Sequence, residues 1–398
     1  MIQSDIPRVA AQQARLYTQQ YPVLLISGPR QSGKTTLAKT LFTDKPYVNL
    51  EALNVREFAE ADPVGFLNQY PDGAIFDEVQ RVPKLLSEIQ VRVDETRKKG
   101  QFILTGSHQP ELQAATAQSL AGRVAIIKLI PLSLEEWRPS LTNTSIDEML
   151  YQGFYPRVLV ESLNPTQAYN AYIETYIEKD LRQITQIRDL STFQRFMRLC
   201  AGRIGQVLNI DQLANDAGVS ATTVRHWLSA LEASYVIMLV RPYFKNISKR
   251  LVKSPKLYFF DVGVASCLLG IESAKQWPSH PLRGLLFENL VVMDLIKARW
   301  NRGLREQMAF YRDHSGNEVD VVIEVGGMFL PIEIKSSATL NQDFLKGLSN
   351  FAKIEPEARP HGNVLIYGGE PLGRWMGTQV VSFRELAEWY HRMQPFFG

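Results

Sequence analysis

Only two cysteines, Cys200 and Cys267, occur in 398 residues. That is too few for a disulfide framework or a zinc cluster, and a reducing compartment is expected. Charge of one sign is also missing. The 44 Lys and Arg face 41 Asp and Glu, leaving a formal net charge of +3, so any surface for a polyanion has to be local. Long apolar runs are absent: the longest, Val236 to Val240, falls far short of the ~20 residues that cross a bilayer. The start, Met1-Ile2-Gln3-Ser4-Asp5-Ile6-Pro7, lacks the basic segment and apolar stretch of a secretion signal. No internal repeat or low-complexity tract is found. With 45% hydrophobic and 21% charged residues, as in ordinary globular chains, disorder and fibrous repeats are excluded. The expectation is a cytoplasmic protein of two to four domains with no membrane partner.

What is present begins with a phosphate-binding motif. Val23-Leu24-Leu25-Ile26 is a continuous apolar run, as in a strand covered on both faces. It leads into Gly28-Pro29-Arg30-Gln31-Ser32-Gly33-Lys34-Thr35-Thr36, which matches G-x-x-x-x-G-K-[ST] at every position. The glycines let backbone N–H groups wrap the phosphates, and a helix from Thr35 to about Phe42 turns its positive end toward them. Lys34 is placed for the β- and γ-phosphates and the Thr35 hydroxyl for Mg²⁺. ATP and Mg²⁺ are therefore the expected cofactors.

Two further strands complete the chemistry. Gly73-Ala74-Ile75-Phe76-Asp77-Glu78 ends in two carboxylates, of which Asp77 is expected to hold Mg²⁺ and Glu78 to act as general base on the attacking water. Phe102-Ile103-Leu104 runs into Thr105-Gly106-Ser107. Ser107 is a candidate to hydrogen-bond that water or the γ-phosphate; the other reading is a turn that uses Gly106 and Ser107 for backbone reasons.

With Leu120-Ala121-Gly122-Arg123, these blocks resemble the AAA+ ATPase core. More narrowly, the chain is similar along essentially its whole length to a prokaryotic group of ATP-binding proteins in which this core precedes a C-terminal domain. The resemblance implies an α/β core with a five-stranded parallel sheet and helices on both faces. It also implies that Arg123 is a candidate arginine finger, acting on its own subunit's nucleotide or, in a homo-oligomer, on a neighbour's. For the lid arginine of such proteins, Arg157 and Arg203 stay open.

From Ser145 to Gly202 the pattern is helical and reads as a small lid. Its clearest helix, Ala168 to Ile184, carries Tyr169, Tyr172, Ile173, Tyr176 and Ile177 at helical spacing, a stripe read as core packing. Leu208 to Leu228 then fits a helix-turn-helix, broken at Gly218 and restarted by Ser220, with Thr223, Arg225 and His226 on or near the second helix. From Ala233 to Phe260 there is no Asp or Glu, yet Arg241, Lys245, Lys249, Arg250, Lys253 and Lys256 occur. That reads as the basic β-wing of a winged helix, with DNA phosphates as partner.

The last segment returns to α/β. Glu288 is the one carboxylate in the apolar helix Leu285–Val292, Asp320 lies near the start of a strand, and Glu333 and Lys335 share one face of the next strand because side chains alternate. That order resembles the PD-(D/E)xK nucleases, with Val319 where the strict motif has proline. The resemblance implies a restriction-endonuclease-like domain. In it Glu288, Asp320 and Glu333 would hold Mg²⁺ or Mn²⁺, Lys335 would stabilise the attacking hydroxide or the phosphorane charge, and Arg312 would add a phosphate contact. The expected domains are 1–140 (ATPase core), 141–205 (lid), 206–275 (winged helix) and 276–398 (nuclease-like). Two functions follow: an ATPase that licenses a metal-dependent nuclease, or an ATP-dependent switch or scaffold whose rear fold binds without cutting.

Overall fold

The computed structural model describes residues 6–107, 116, 118–141, 144–178, 189–244, 254–355, 359–393 and 395–398. The front third is built on strands β1 (Val23–Gly28), β2 (Tyr47–Asn49), β3 (Ile75–Asp77), β4 (Phe102–Ser107) and β5 (Val124–Lys128), in the order β2-β3-β4-β1-β5. All the pairings are parallel. Strand β1 lies centrally and every one of its residues is buried, which is why its sequence is apolar without alternation. Its side chains divide between two cores. Val23 and Leu25 pack with Phe66, Phe76, Leu86 and Phe102 on one face, and Leu24 and Ile26 pack with Ala14, Leu37 and Ile103 on the other. Helices Leu53–Ala61 and Leu85–Thr96 cover the first face, and Ala10–Gln20 and Lys34–Leu41 cover the second. The expected five-stranded parallel core is present.

The turn after β1 is shaped by two glycines. A Cβ on Gly28 would stand 1.9 Å from the Leu129 carbonyl oxygen, and Gly33 sits at φ +91°, where an L side chain is strained. Strand β4 runs through Ser107 without turning.

Behind the sheet come short helices, Ile146–Gln152, Pro156–Val160 and Pro165–Tyr172, and the last widens into a π-helical turn over Ile173–Ile177. The single α-helix expected over Ala168–Ile184 is thus interrupted, and its last residues lie outside the described ones. Helices Ile210–Ala217 and Ala221–Ala233 meet at Gly218 in the left-handed conformation, and the Ser220 side chain accepts from the Thr223 N–H to cap the second. Strands β6 (Ile237–Val240) and β7 (Lys256–Phe259) then pair antiparallel.

The rear sheet holds β8 (Met308–Arg312), β9 (Glu318–Val325), β10 (Met328–Lys335), β11 (Val364–Tyr367), β12 (Gly373–Trp375) and β13 (Thr378–Ser382), in the order β12-β13-β11-β10-β9-β8. One hydrophobic core runs from Ile130 to Phe397 through Phe193, Trp227, Leu257, Val321 and Trp389, so the segments read as lid, winged helix and rear domain share an interior. Helix Arg283–Asn301 is its spine, buried at every residue from Leu286 to Asn301. A helix buried all round needs its polar side chains satisfied internally. Asp294 accepts from the Leu134 N–H and the Tyr390 hydroxyl, Lys297 donates to the Leu132 carbonyl at 2.9 Å, and the Asn289 side-chain amide accepts from and donates to the Phe259 backbone. No helix among the described residues is long and apolar enough to cross a membrane.

Candidate functional site

The tips of β1, β3 and β4 bring the front motifs together. Thr35 Oγ1 donates to both oxygens of Asp77 at 3.0 and 3.1 Å. Ser107 Oγ lies 3.4 Å from Glu78 Oε2, and Gln80 also donates to that oxygen. Glu78 itself is held at φ 59°, a left-handed conformation that costs of order 1–3 kcal/mol in a non-glycine residue and persists where the surroundings impose it. Lys34 Nζ and Ser32 Oγ both donate to the Pro29 carbonyl at 2.9 Å. A cavity of about 660 Å³ opens beside these groups. Arg30, Gln31, Gly33, Lys34, Thr35, Thr36 and Glu78 line one side, Ile6, Pro7 and Leu132 the apolar end, and Pro156, Arg157 and Val160 of the lid the other. Arg157 therefore faces the cavity, with its Nε on Glu161 at 3.1–3.2 Å, whereas Arg203 is engaged by the Leu199 carbonyl and Asp216.

Three participants carried no sequence motif. Tyr47 donates to Asp77 at 2.7 Å and Thr105 donates to the same carboxylate. Burial, and then the Asp77 hydrogen bond, raises the Tyr47 hydroxyl well above its usual value, so it stays a donor. Arg8 reaches the Ser32 carbonyl at 2.7 Å, the Ile130 carbonyl at 2.7 Å and Glu136 at 2.9 Å, pinning the phosphate loop to the segment that follows β5. Thr105 left a trace in the sequence, a polar residue inside a buried apolar strand. Arg8 and Tyr47 left none. Arg123 lies apart from this cavity and forks onto Asp94 at 2.6 and 2.8 Å.

The rear residues also converge. Glu288 comes from the spine helix, Asp320 from β9, and Glu333 and Lys335 from β10. Lys335 Nζ sits 2.5 Å from Glu333 Oε1 and 3.5 Å from Asp320 Oδ2, and the Ile334 N–H donates to Asp320 at 2.8 Å. The surprise is Lys256. It was grouped with the basic wing, but it is buried, at 2% exposure, and is not on a phosphate-facing surface. Its Nζ lies 3.0 Å from Glu288 Oε1, 2.5 Å from Glu318 Oε1 and 3.9 Å from Asp320 Oδ1. Tyr258, two residues on and so on the same face of β7, donates to Glu288 at 2.6 Å. Burial and the Asp320 charge push the Glu288 carboxyl up to about 7 and Glu333 up to about 8. Burial alone would lower the Lys256 ammonium, but Glu288, Asp320 and Glu318 outweigh it and the net shift is upward.

This donor set suits a hard divalent cation in its chemistry: four carboxylates share two lysines, and Glu333 Oε2 is buried without a hydrogen-bond partner. The arrangement does not match it. Among the described residues no group of three or more His, Cys, Asp or Glu is placed to hold a metal ion, and the Lys256 ammonium stands between Glu288 and Asp320. Arg312 meets Glu318 at 3.5 Å.

Comparison with known proteins matches three stretches of the chain. Residues 20–138 match the family described as AAA domain, 143–275 a domain of unknown function, DUF8612, and 283–386 another, DUF4143. The uncharacterized protein Rv2008c of Mycobacterium tuberculosis and Mb2031c of Mycobacterium bovis are each 30% identical over 335 residues, 83% of this chain and 74% of theirs. The chain belongs to the family of these mycobacterial proteins. Its front third is an AAA-type core with a P-loop ATPase-like fold. Among solved structures, the Walker-type ATPase PABY2304 of Pyrococcus abyssi aligns with a TM-score of 0.44 at 16% identity, over 65% of this chain and 94% of that one.

Of the remaining expected contacts, Arg225 and His226 are exposed on helix Ala221–Ala233, Thr223 is half-buried there, and Arg241 is exposed after β6. Lys245, Lys249, Arg250 and Lys253 lie outside the described residues. The tyrosine stripe packs as expected and also lines, behind Gln31, a second cavity of about 320 Å³.

Proposed function

We propose that this family member is a Mg²⁺-dependent ATPase whose nucleotide state acts as a switch on a rear nucleic-acid-binding unit. The observation that carries the reading is that Lys34, Thr35 and Glu78 line one 660 Å³ cavity, with Asp77 held by Thr35 and Ser107 beside Glu78, a volume in the range of small-molecule sites. Thr35 and Asp77 would hold Mg²⁺, which when bound neutralises phosphate charge. Lys34 turns from the Pro29 carbonyl to the phosphates, Glu78 accepts the proton of the attacking water, and Ser107 orients that water. The lid residues Pro156, Arg157 and Val160 wall the cavity.

The rear can sense this chemistry by contact. Ser234 and Val236, immediately before β6, line a small gap with Pro29, Arg30 and Ser107. The capped helix pair, its exposed Arg225 and His226, and the basic segment between β6 and β7 support a winged helix that reads a phosphate backbone. Calorimetry and turnover on wild type and Glu78→Gln test the ATPase: the variant is expected to bind ATP and lose hydrolysis. No uptake of adenine nucleotide at millimolar concentration overturns the reading.

A second reading, a metal-dependent phosphodiesterase in the rear, draws on the convergence of Glu288, Asp320, Glu333 and Lys335 in one cluster, against the Lys256 ammonium that stands between Glu288 and Asp320. Plasmid and linear DNA incubated with Mg²⁺ or Mn²⁺, with and without ATP, should be cut by wild type and spared by Lys335→Ala. Equal cutting by both proteins means contamination and removes this reading.

A further inference from the structure

Burying a guanidinium is costly unless its N–H groups find acceptors. Arg8 lines the large cavity with a side chain only 8% exposed, and its planar fork is divided among three segments far apart in sequence. Nε meets Glu136, Nη2 the Ile130 carbonyl and Nη1 the Ser32 carbonyl. Glu136 is fixed in its turn. Its side chain is fully buried and accepts from the Val9 N–H at 2.9 Å and the Ser133 N–H at 2.8 Å. The fork is thus anchored at two points on packed structure, and its third point is set against the phosphate loop.

The Ser32 contact has its consequence at the next residue. A peptide unit is planar and trans, so a carbonyl and the N–H that follows it point opposite ways. With the Ser32 carbonyl drawn to Arg8, the Gly33 N–H is directed away from the guanidinium. Gly33 stands at φ +91°, and a Cβ there would lie 3.5 Å from Arg8 Nη1. Glycine turns readily about that bond, so this peptide needs an external hold to keep one face. The Ser32 hydroxyl does not supply it, because its bond to the Pro29 carbonyl fixes the side chain and not the peptide plane. Backbone N–H groups of such a loop are its phosphate contacts, and a charged donor on the carbonyl side also strengthens the N–H beyond it.

We propose that Arg8 is a positioning residue for the nucleotide: it holds the Ser32–Gly33 peptide so that the Gly33 N–H is presented to the phosphates, without itself touching them. This rests on the reading of the front cavity as the ATP site. Lys34 would meet phosphate directly and Glu78 would act on water, whereas Arg8 sets the affinity for the loop-bound phosphates and leaves the chemical step alone.

Calorimetry with ATP and with ADP, together with steady-state phosphate release, tests this on the full chain of wild type, Arg8→Gln and Arg8→Lys. Arg8→Gln is expected to weaken ATP and ADP alike, roughly tenfold or more, and to raise KM by a similar factor. Its kcat should stay within about threefold of wild type, since Asp77, Glu78 and Ser107 are untouched. A merely structural role would lower the melting point of the nucleotide-free protein and the fraction of competent sites, and leave the affinity of each site as it was. Arg8→Lys keeps the charge beside Glu136 but cannot fork, and should remain about fivefold weaker or more than wild type. Wild-type affinity in either variant, or a fall in kcat at unchanged affinity, overturns the proposal and leaves the ATP site standing. No nucleotide uptake by wild type overturns the ATP reading and the proposal with it. Should Arg8→Gln fail to fold, Arg8→Lys, which keeps the buried ion pair, still decides.

Discussion

The chain holds two acidic centres, and they satisfy their carboxylates in opposite ways. In front, Asp77 takes hydrogen bonds from three neutral hydroxyls, those of Thr35, Tyr47 and Thr105, while the nearby Lys34 donates to a backbone carbonyl. In the rear, Glu288 and Glu333 are met by the ammonium groups of Lys256 and Lys335. Hydroxyl donors orient a carboxylate and leave its charge available to a cation; an ammonium cancels that charge. The front centre also opens on a large cavity, whereas a strand from the neighbouring segment plugs the rear one. Two carboxylate–lysine groups of similar composition are thus set for different states, one ready for a ligand and one latched.

The largest effect that would sharpen this contrast is loss of the front base. Glu78→Gln should lower ATP turnover on the order of 100-fold or more while ATP affinity stays within a few-fold, measured by phosphate release and calorimetry. Unimpaired turnover would show that Glu78 is not the base.

Next comes the spine that joins the two centres. Burial lifts the Asp294 carboxyl to about 6, above its unfolded value. The folded state then holds a proton that the unfolded chain releases, so the stability it contributes is complete below about pH 4 and is lost as pH rises through about 6. The full change amounts to roughly 3 kcal/mol. Asp294→Asn keeps an acceptor for Leu134 and should lessen the fall of urea midpoints between pH 4.5 and 7, leaving the part that the raised Glu288 and Glu333 carboxyls cause; an unchanged slope would mean that Asp294 is ionised within the fold.

Tyr47→Phe removes one hydroxyl from Asp77. A net hydrogen bond of about 1 kcal/mol corresponds to roughly a fivefold change in the Mg²⁺ concentration needed for half-maximal turnover. A shift of 50-fold would mean that Tyr47 does more than orient Asp77. The smallest effect is expected at Arg123 in dilute protein: Arg123→Ala should leave the unfolding midpoint nearly unchanged, because its partner Asp94 is on the surface. If Arg123 serves a neighbouring subunit, the variant's turnover should fall below wild type only as protein concentration rises.

The phosphate loop and the Asp77–Glu78 pair were legible because phosphate chemistry demands particular residues at contiguous positions, and contiguity survives in a sequence. The rear acids were legible through alternation, which put Glu333 and Lys335 on one face before any contact was known. Lys256 was misread for the converse reason. Its neighbours in sequence share its sign, and a run of one sign reads as a solvated face, but the carboxylate that claims it lies 32 residues away.

Local covalent order settled which loop could grip phosphate, which strands would be buried, and where the second helix of the pair would begin, since glycine φ, β-alternation and a serine cap each act within a few residues. Only the packed molecule decided that Tyr47 and Thr105 serve Asp77, that Arg8 anchors the loop, and that β7 drives a lysine into the rear cluster. Those choices depend on which strand edges and helix faces meet, and desolvation energy assigns a charge its partner only after that meeting.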